Sequence, residues 1–200
     1  MSNCQRFLDP IRNEIVNAAM DLMARFGYRK TTMDDIAKKV GKSKSSLYYY
    51  YKTKEEIFEV ALQLDTEEQI DALKEVIAAG NTVEEKFHGV VTSLMRKIIT
   101  HTKSFPHLKQ DFIENPLFFI EMSRKKEKQL EVILKDLLIL GISTGEVELM
   151  SAAEMDMWSK SVISSLQAVG AKLFFAEDFE PTEDNLRFFT RTLFRGIAKM

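Results

Sequence analysis

One short stretch of this 200-residue chain carries hydrogen-bonding side chains at a spacing that suits contact with a nucleic acid. Cationic, hydroxyl and phenol groups crowd one predicted helix and its approach, at Lys42, Ser43, Lys44, Ser45, Ser46, Tyr48 and Tyr49. Groups of these types hydrogen-bond to phosphates and to base edges in the major groove of DNA. The next helix should begin at Thr53 and Lys54, where free backbone N–H groups and the lysine can grip a phosphate.

The positions around this stretch fit two helices that meet at a tight turn. Ala37 is small enough to let the helices approach, and Gly41 permits a positive φ angle in the turn. Leu47 then packs the second helix inward. The spacing predicts a helix-turn-helix whose second helix presents its polar side chains to a partner.

Four consecutive tyrosines, at residues 48–51, distinguish this interpretation from a plain helical subdomain with a charged surface. Helical geometry spreads successive side chains around the axis, so the four cannot all be buried. Leu47 and Tyr51 share the inward face, because they stand at i and i+4. At least one of the other three tyrosines must meet solvent or a partner, which favours a helix that faces DNA.

Helical periodicity extends over almost the whole chain, and no run alternates as a strand would. Asp9 should cap a first helix that begins at Pro10, and Thr32 should cap a short second helix. Capping boxes, prolines and glycines mark later helices at about 54–79, 83–103, 116–141, 152–175 and 182–198. The prediction is an all-α protein of about nine helices.

Charge is distributed unevenly along the chain, although the formal net charge is only −2. Residues 1–54 hold 11 Lys and Arg against 5 Asp and Glu, whereas the rest of the chain holds 17 against 25. A small basic end on an acidic body suits a protein whose end meets a polyanion.

Composition restricts the class of protein further. The hydrophobic share of 45% predicts a globular protein, and no stretch is apolar enough to span a membrane. The start has no apolar signal region, so we expect a cytoplasmic protein without membrane contact. Cys4 is the only cysteine, which excludes an intrachain disulfide.

The segment from Arg12 to Leu62 resembles the N-terminal domain of the TetR family of bacterial transcriptional regulators. The matching pattern runs through Ile15, Ala18-Ala19, Leu22, Gly27-Tyr28, Thr31-Thr32, Ile36-Ala37, Val40 to Tyr48, and Lys52 to Ile57. The remaining three quarters of the chain is similar to the family only in length and helical character. The resemblance implies a repressor that binds an inverted repeat in double-stranded operator DNA as a homodimer.

The resemblance also implies which residues touch DNA. Thr32 caps the helix that abuts the DNA backbone, and Lys54 matches the family's phosphate-binding lysine. Tyr50 stands where many members have histidine, and Ser45 where members often have glycine. The implied DNA-binding set is Thr32, Lys42, Ser43, Lys44, Ser45, Ser46, Tyr48, Tyr49, Tyr50 and Lys54.

Two domains follow from the resemblance. Residues 1–54 would form a three-helix DNA-binding domain, and 55–200 a larger helical domain for ligand binding and dimerisation. Helices between about 83 and 175 would surround a cavity for an apolar or amphipathic small molecule. Its candidate lining consists of apolar and aromatic residues that ordinary core packing also explains: Phe105, Phe112, Phe118, Phe119, Met122, Trp158 and Phe174.

The last two long helices should pair with their copies in a second subunit. Small residues allow close helix approach, and apolar residues of the last helix supply a contact surface. The candidate interface is Ser161, Ser164, Ser165, Ala168, Phe189 and Leu193, although this stripe can also pack within its own chain. Binding to two half-sites favours the dimer.

An enzyme is the less favoured alternative. Glu85 and His88 form one Glu-x-x-His pair of the kind that binds di-iron, but such sites need two copies. The chain has no phosphate-binding glycine loop and no nucleophile elbow. We therefore expect no catalysis, no metal and no cofactor. A second alternative is a helical DNA-binding protein without a small-molecule effector.

Overall fold

The computed structural model describes residues 9–175 and 182–199, apart from the side chains of residues 102, 108, 122, 125 and 173–175. Nine α-helices account for most of this part of the chain: α1 Pro10–Phe26, α2 Met33–Lys39, α3 Lys44–Tyr50, α4 Lys54–Ala79, α5 Val83–Ser104, α6 Leu108–Glu114, α7 Pro116–Thr144, α8 Ala152–Phe175 and α9 Glu183–Arg195. An isolated antiparallel bridge joins Val147 to Ala198. The all-α prediction is confirmed. None of the described helices is long and apolar enough to cross a membrane.

Predicted capping residues stand at the helix starts. Ser151 and Glu154 exchange hydrogen bonds in both directions before α8, as a capping box requires. At α4 the backbone N–H of Glu56 donates to Thr53 Oγ1 at 3.1 Å, while the Glu56 carboxylate accepts from Lys52 N at 2.6 Å. The second half of that box is therefore displaced by one residue from the predicted pattern.

Helix α7 ends at Thr144, beyond the predicted end at Gly141. Gly141 lies inside the helix, where a Cβ atom would come within 2.4 Å of Val147 Cγ2. The missing side chain of Gly141 therefore allows close packing against Val147, and this residue does not end the helix. Gly145 ends the helix instead, with a φ angle of +79°.

The helices form two compact units. Unit 1 consists of the described residues up to Ile70 together with His101–Ser123. Unit 2 consists of Asp71–Thr100 together with the described residues from Arg124 onward. The predicted domains, residues 1–54 and 55–200, concern function rather than packing, and this division stays a prediction.

Unit 1 is built around a core to which each of its first four helices contributes. Ile15 and Ala19 of α1 stand at i and i+4, so they face the same side of the helix. The completely buried residues at the centre are Ile15, Ala19, Ile36, Leu47 and Ile57. This core fixes α3 against α1, α2 and α4.

The turn between α2 and α3 has the predicted geometry. Gly41 adopts a φ angle of +63°, which favours glycine. The backbone N–H of Lys42 donates to Ala37 O at 2.9 Å and closes the turn. Ala37 is buried, so the two helices meet over a small side chain.

Unit 2 packs α5, α7, α8 and α9 around aliphatic side chains. Residues that are almost fully buried include Val90, Val91, Met95, Leu134, Leu138 and Val162. Gly170 of α8 lies against Ile98 of α5, where a Cβ atom would come within 2.8 Å of Ile98 Cδ1. The close approach of α5 and α8 therefore depends on glycine at this position.

Candidate DNA-binding surface

Helix α3 separates an inward apolar face from an outward polar face. Leu47 is completely buried and Tyr51 is 1% exposed. Lys44 and Ser45 are exposed, and Tyr49 is 77% exposed. The two faces follow from the i, i+4 spacing of the apolar pair. The outward face is therefore available to a partner.

Among the tyrosines, Tyr49 is the one that projects furthest. Tyr48 and Tyr50 are half-buried, and the Tyr49 and Tyr50 rings meet edge to face at 5.2 Å. The Arg12 guanidinium lies 5.0 Å from the Tyr51 ring centroid and 6.0 Å from that of Tyr50. This cation–π contact ties α1 to the end of α3 and leaves the Tyr49 phenol at the surface.

Thr32 caps α2 as predicted. Its Oγ1 accepts from Asp35 N at 3.2 Å, and the Asp35 carboxylate accepts from Thr32 N at 3.1 Å. The hydrogen bonds from Thr32 lower the pKa of the Asp35 carboxyl. The capping role of Thr32 is confirmed, and its contact with DNA stays a prediction.

Lys44, at the first position of α3, forms an ion pair across the turn. Its Nζ lies 2.9 Å from Asp34 Oδ1 and 3.1 Å from Asp34 Oδ2. The hydrogen bond that Lys44 donates to Asp34 raises the pKa of the Lys44 ammonium. Lys42 and Ser46 are half-buried, and Ser43 caps α3 by accepting from Ser46 N at 3.1 Å. The predicted recognition residues therefore lie together around the start of α3.

Lys54 has a structural task that the sequence does not reveal. Its ammonium donates to three backbone oxygens, Tyr28 O at 2.9 Å and Arg29 O and Thr31 O at 3.2 Å each. It also lies 4.5 Å from the centroid of the Tyr28 ring. Lys54 thus fastens the α1–α2 loop to the start of α4, and its phosphate contact stays a prediction.

Replacing Lys54 by methionine should lower the free energy of unfolding by about 1–3 kcal/mol, because loop carbonyls lose a charged donor. Urea denaturation followed by circular dichroism measures this change. Lys52→Met is the matched control, since Lys52 is exposed and donates to a single carbonyl, Tyr48 O at 2.9 Å. Equal losses in the two variants would contradict the special role of Lys54.

Helix α6 of unit 1 contacts the turn at which α1 ends. Asp111, 7% exposed, accepts from Tyr28 N at 2.8 Å and from Arg29 N at 3.3 Å. Arg29 also pairs with Glu114 at 2.8 Å. Gly27 has a φ angle of +90°, and a Cβ atom there would lie 3.2 Å from His107 Cβ. Asp111 therefore satisfies two backbone donors of the loop that precedes α2.

Tyr28 joins α1, α4 and α7 within unit 1. Its hydroxyl donates to Glu55 Oε1 at 2.8 Å, and its ring lies 5.1 Å from Phe58 and 5.3 Å from Phe118. Burial and the hydrogen bond to Glu55 raise the pKa of the phenol. Tyr28, two residues after the end of α1, is thus held by contacts to both α4 and α7.

Four of the predicted ligand-lining aromatics belong to unit 1. Phe118 and Phe119 lie 5.8 Å and 5.9 Å from Phe58, and Phe112 lies 5.8 Å from Phe119. Phe105, 6.0 Å from His101, belongs to the same unit. These contacts are those of ordinary core packing, the alternative that the sequence leaves open for these residues. A ligand role for them stays a prediction.

The remaining predicted ligand-lining residues are Trp158, Met122 and Phe174. Trp158 lies in unit 2, where its ring is 5.3 Å from Phe87 and its Nε1–H donates to Leu193 O at 3.4 Å. The side chains of Met122 and Phe174 lie outside the described residues.

The predicted dimer residues of α8 lie along one side of that helix, whereas Phe189 and Leu193 lie on α9. Ser161, Ser164 and Ala168 are exposed, and Met157, which was not among the predicted residues, is 68% exposed at the position that continues the stripe. The half-buried members of the set are Ser165, Phe189 and Leu193. On α9 the large exposed apolar residue is Phe188, which is 75% exposed, rather than the predicted Phe189.

A polar cleft of about 390 Å³ lies between α5 and α9 in unit 2. His88 lines it, with Nδ1 2.9 Å from Thr190 Oγ1 and Nε2 3.2 Å from Glu183 Oε1. Glu85 also lines it and accepts from Asn81 N at 2.8 Å, which lowers the pKa of its carboxyl. Both members of the Glu-x-x-His pair thus serve helix contacts, and no three metal-ligand side chains gather within the described residues.

A family model for the bacterial regulatory proteins of the tetR family matches residues 15–61, which extend from α1 into α4. Together with the geometry of α2 and α3, this match defines a helix-turn-helix transcriptional regulator. Over these residues the chain is similar to the DNA-binding domain of the TetR family of bacterial regulatory proteins.

Two relatives in sequence are regulators by name. The uncharacterized HTH-type transcriptional regulator YhgD of Bacillus subtilis (strain 168) is 24% identical over 134 residues, 67% of this chain and 70% of that protein. The biofilm operon icaADBC HTH-type negative transcriptional regulator IcaR of Staphylococcus epidermidis is 42% identical over 53 residues. That match covers 26% of this chain and 29% of IcaR, so it concerns a single domain.

Solved structures share the fold over almost the whole chain. The fatty acid degradation regulator FadR from Bacillus halodurans superposes with a TM-score of 0.67 at 19% identity, covering 94% of each chain. RolR, solved in complex with the ligand resorcinol, has a TM-score of 0.60 at 20% identity, covering 93% of this chain and 86% of RolR. At these identities the likeness concerns the fold.

Proposed function

We propose that this protein is a dimeric transcriptional repressor that binds an inverted-repeat operator through α3 and is released from it by a small molecule. The observation that carries the proposal is the outward face of α3, where Lys44, Ser45 and Tyr49 are exposed opposite the buried Leu47. A recognition helix reads base edges with the residues near its N-terminus.

The remaining predicted DNA contacts have distinct tasks. Thr32 and Ser43 stand at the N-termini of α2 and α3, where free backbone N–H groups favour a phosphate. Tyr48 and Tyr50 flank the exposed phenol of Tyr49 and reach the DNA backbone on either side. This division predicts that Tyr49 and Lys44 affect sequence preference, whereas the flanking groups affect affinity for every sequence.

Repression and dimerisation have support of different kinds. IcaR, which shares 42% identity over 53 residues, is named a negative regulator. The stripe of small residues on α8 and the exposed Phe188 on α9 suit helix pairing between two subunits. A symmetric dimer presents two recognition helices to an inverted repeat.

The proposed effector is apolar or amphipathic. FadR is named for fatty acid degradation, and RolR was solved with resorcinol, so two proteins of this fold are associated with molecules of that chemistry. A ligand releases the repressor only as far as it prefers the state that cannot bind DNA. Linkage therefore requires operator DNA to weaken ligand binding by the same factor.

One observation favours the alternative of a regulator without an effector. Phe118 and Phe119 pack against each other and against Phe58, and Phe112 packs against Phe119, so these residues serve a core in unit 1. A thermal-shift screen of fatty acids and small phenols, followed by calorimetric titration with and without operator, separates the two functions. A compound that binds equally in both titrations contradicts release by that compound.

Replacing Tyr49 by alanine should lower operator affinity about tenfold or more, because a base-edge contact contributes about 1–3 kcal/mol of discrimination. Tyr48→Phe should weaken binding to all duplexes alike. Fluorescence anisotropy with a labelled operator measures both effects. Leu149→Ala is the control, since Leu149 is 88% exposed in unit 2. Unchanged operator affinity in Tyr49→Ala would exclude α3 as the reading helix.

A further inference from the structure

A carboxylate stands among the residues that we expect to face DNA, where the phosphate backbone should repel it. Asp34 lies in the first turn of α2, between the cap Thr32 and the start of α3. It is not needed to cap α2, because Asp35 completes the capping box with Thr32. Its contact is the ammonium of Lys44.

The geometry of this pair constrains Lys44 without blocking it. Asp34 receives Lys44 Nζ at 2.9 Å and 3.1 Å through its two carboxylate oxygens. An ammonium has three hydrogens, so a donor remains when one or two point at Asp34. Both side chains are about half exposed or more, at 61% for Lys44 and 50% for Asp34. The remaining donor is therefore open to solvent or to DNA.

We propose that Asp34 is a specificity-determining residue that holds the Lys44 ammonium for a base acceptor and withholds its charge from phosphates. The proposal rests on the proposed DNA-binding function of α3. Lysine donates to guanine O6 and N7 in the major groove, and the carboxylate orients the group without occupying its last donor. When the protein lies on an unrelated DNA sequence, the Lys44–Asp34 ion pair stays intact and adds no net charge to the contact with the DNA backbone.

Sequence-independent binding to DNA depends on the number of phosphates that cations neutralise, and it weakens as salt rises. If Asp34 neutralises the charge of Lys44 in sequence-independent binding, Asp34→Asn adds one effective cation to that contact. The slope of log affinity against log salt for an unrelated duplex should then steepen by about 0.9. A change confined to the stability of α2 would not alter this slope.

The test compares wild type and Asp34→Asn on the selected operator and on a scrambled duplex of equal length, by anisotropy over a series of salt concentrations. Affinity for the scrambled duplex should rise about threefold to tenfold, as the gain of one phosphate contact implies. Operator affinity should stay within about twofold or fall, because the orientation of Lys44 is lost. The ratio of the two affinities should therefore drop.

Two controls separate orientation of Lys44 from simple removal of a negative charge. Glu14→Gln removes an exposed carboxylate of α1 and should leave the affinity ratio unchanged. In a Lys44→Ala background, Asp34→Asn should no longer change the ratio. An equal rise in nonspecific affinity with and without Lys44 would overturn the proposal, as would an unchanged ratio in the single variant. A wild type that prefers no sequence would overturn the proposed function as well, so the two failures are distinguishable.

Discussion

Replacement of Asp111 by alanine should lower the free energy of unfolding by about 2–4 kcal/mol and weaken DNA binding at the same time. The side chain is 7% exposed and accepts from the backbone N–H groups of Tyr28 and Arg29. Removing the carboxylate leaves two donors in a site with little access to water, which is a costly arrangement. The loop they belong to leads directly into α2, so the helix-turn-helix loses a support.

Amide hydrogen exchange measures the loss of these two hydrogen bonds directly at the backbone N–H groups of Tyr28 and Arg29. The Tyr28 and Arg29 N–H groups should lose protection in Asp111→Ala by more than amides in the core of unit 1. Glu114→Gln is the matched control on the same helix, because it removes an exposed charge that pairs with Arg29 and accepts from Gln110, and it should cost less than about 1 kcal/mol. Unchanged protection of Tyr28 N–H in Asp111→Ala would mean that the α6 contact does not hold the loop.

Replacement of Phe188 by glutamate should convert the protein to a monomer and reduce operator affinity by about a hundredfold or more. Phe188 is 75% exposed on α9, so a charge there should change the stability of the subunit itself by less than about 0.5 kcal/mol. Two linked half-site contacts gain about 10²–10⁴ over either alone, and separation of the subunits forfeits this gain.

Sedimentation velocity and anisotropy on the same samples test this expectation. Met157→Glu should behave in the same way, because Met157 stands on the predicted stripe of α8 at 68% exposure. Leu149→Glu adds the same charge at an 88% exposed residue that precedes α8 and should leave both properties unchanged. A Phe188→Glu protein that remains dimeric and binds operator would place the interface elsewhere.

The N-terminal region was predictable because its signals are local. Caps such as Thr32, the positive φ at Gly41 and the inward pair Leu47 and Tyr51 each depend on residues within a few positions of one another. Local rules of this kind transfer directly from sequence to structure. They also placed the polar side chains of α3 on its outward face.

The supports of that region were not predictable, because they join residues distant in the chain. Asp111 reaches Tyr28 across 83 positions, and Lys54 reaches the same loop through backbone carbonyls, which leave no trace in residue type. The aromatic residues posed a related difficulty. Phe118 contacts Tyr28 and Phe58 in the structure, but an aromatic residue that packs in a core has the same sequence signature as one that lines a cavity.

The orientation of the surface stripes was only partly predictable. Phe188 and Phe189 are adjacent, so a small error in helical phase exchanges the exposed residue for the half-buried one. The helix period of 3.6 residues places neighbours about 100° apart, and sequence alone did not fix which of the two faces outward. On α8 the repeated small residues gave a clearer phase.

Recognition of an operator by α3 is best tested by selecting binding sites for the purified protein from a randomised DNA duplex. We expect enrichment of an inverted repeat whose half-site centres lie about one helical turn, or a multiple of it, apart. Affinity for the enriched sequence should fall steeply with salt, and Tyr49→Ala should change the enriched bases. Recovery of no common sequence by the wild type, or of the same sequence by Tyr49→Ala, would contradict recognition of an operator by α3.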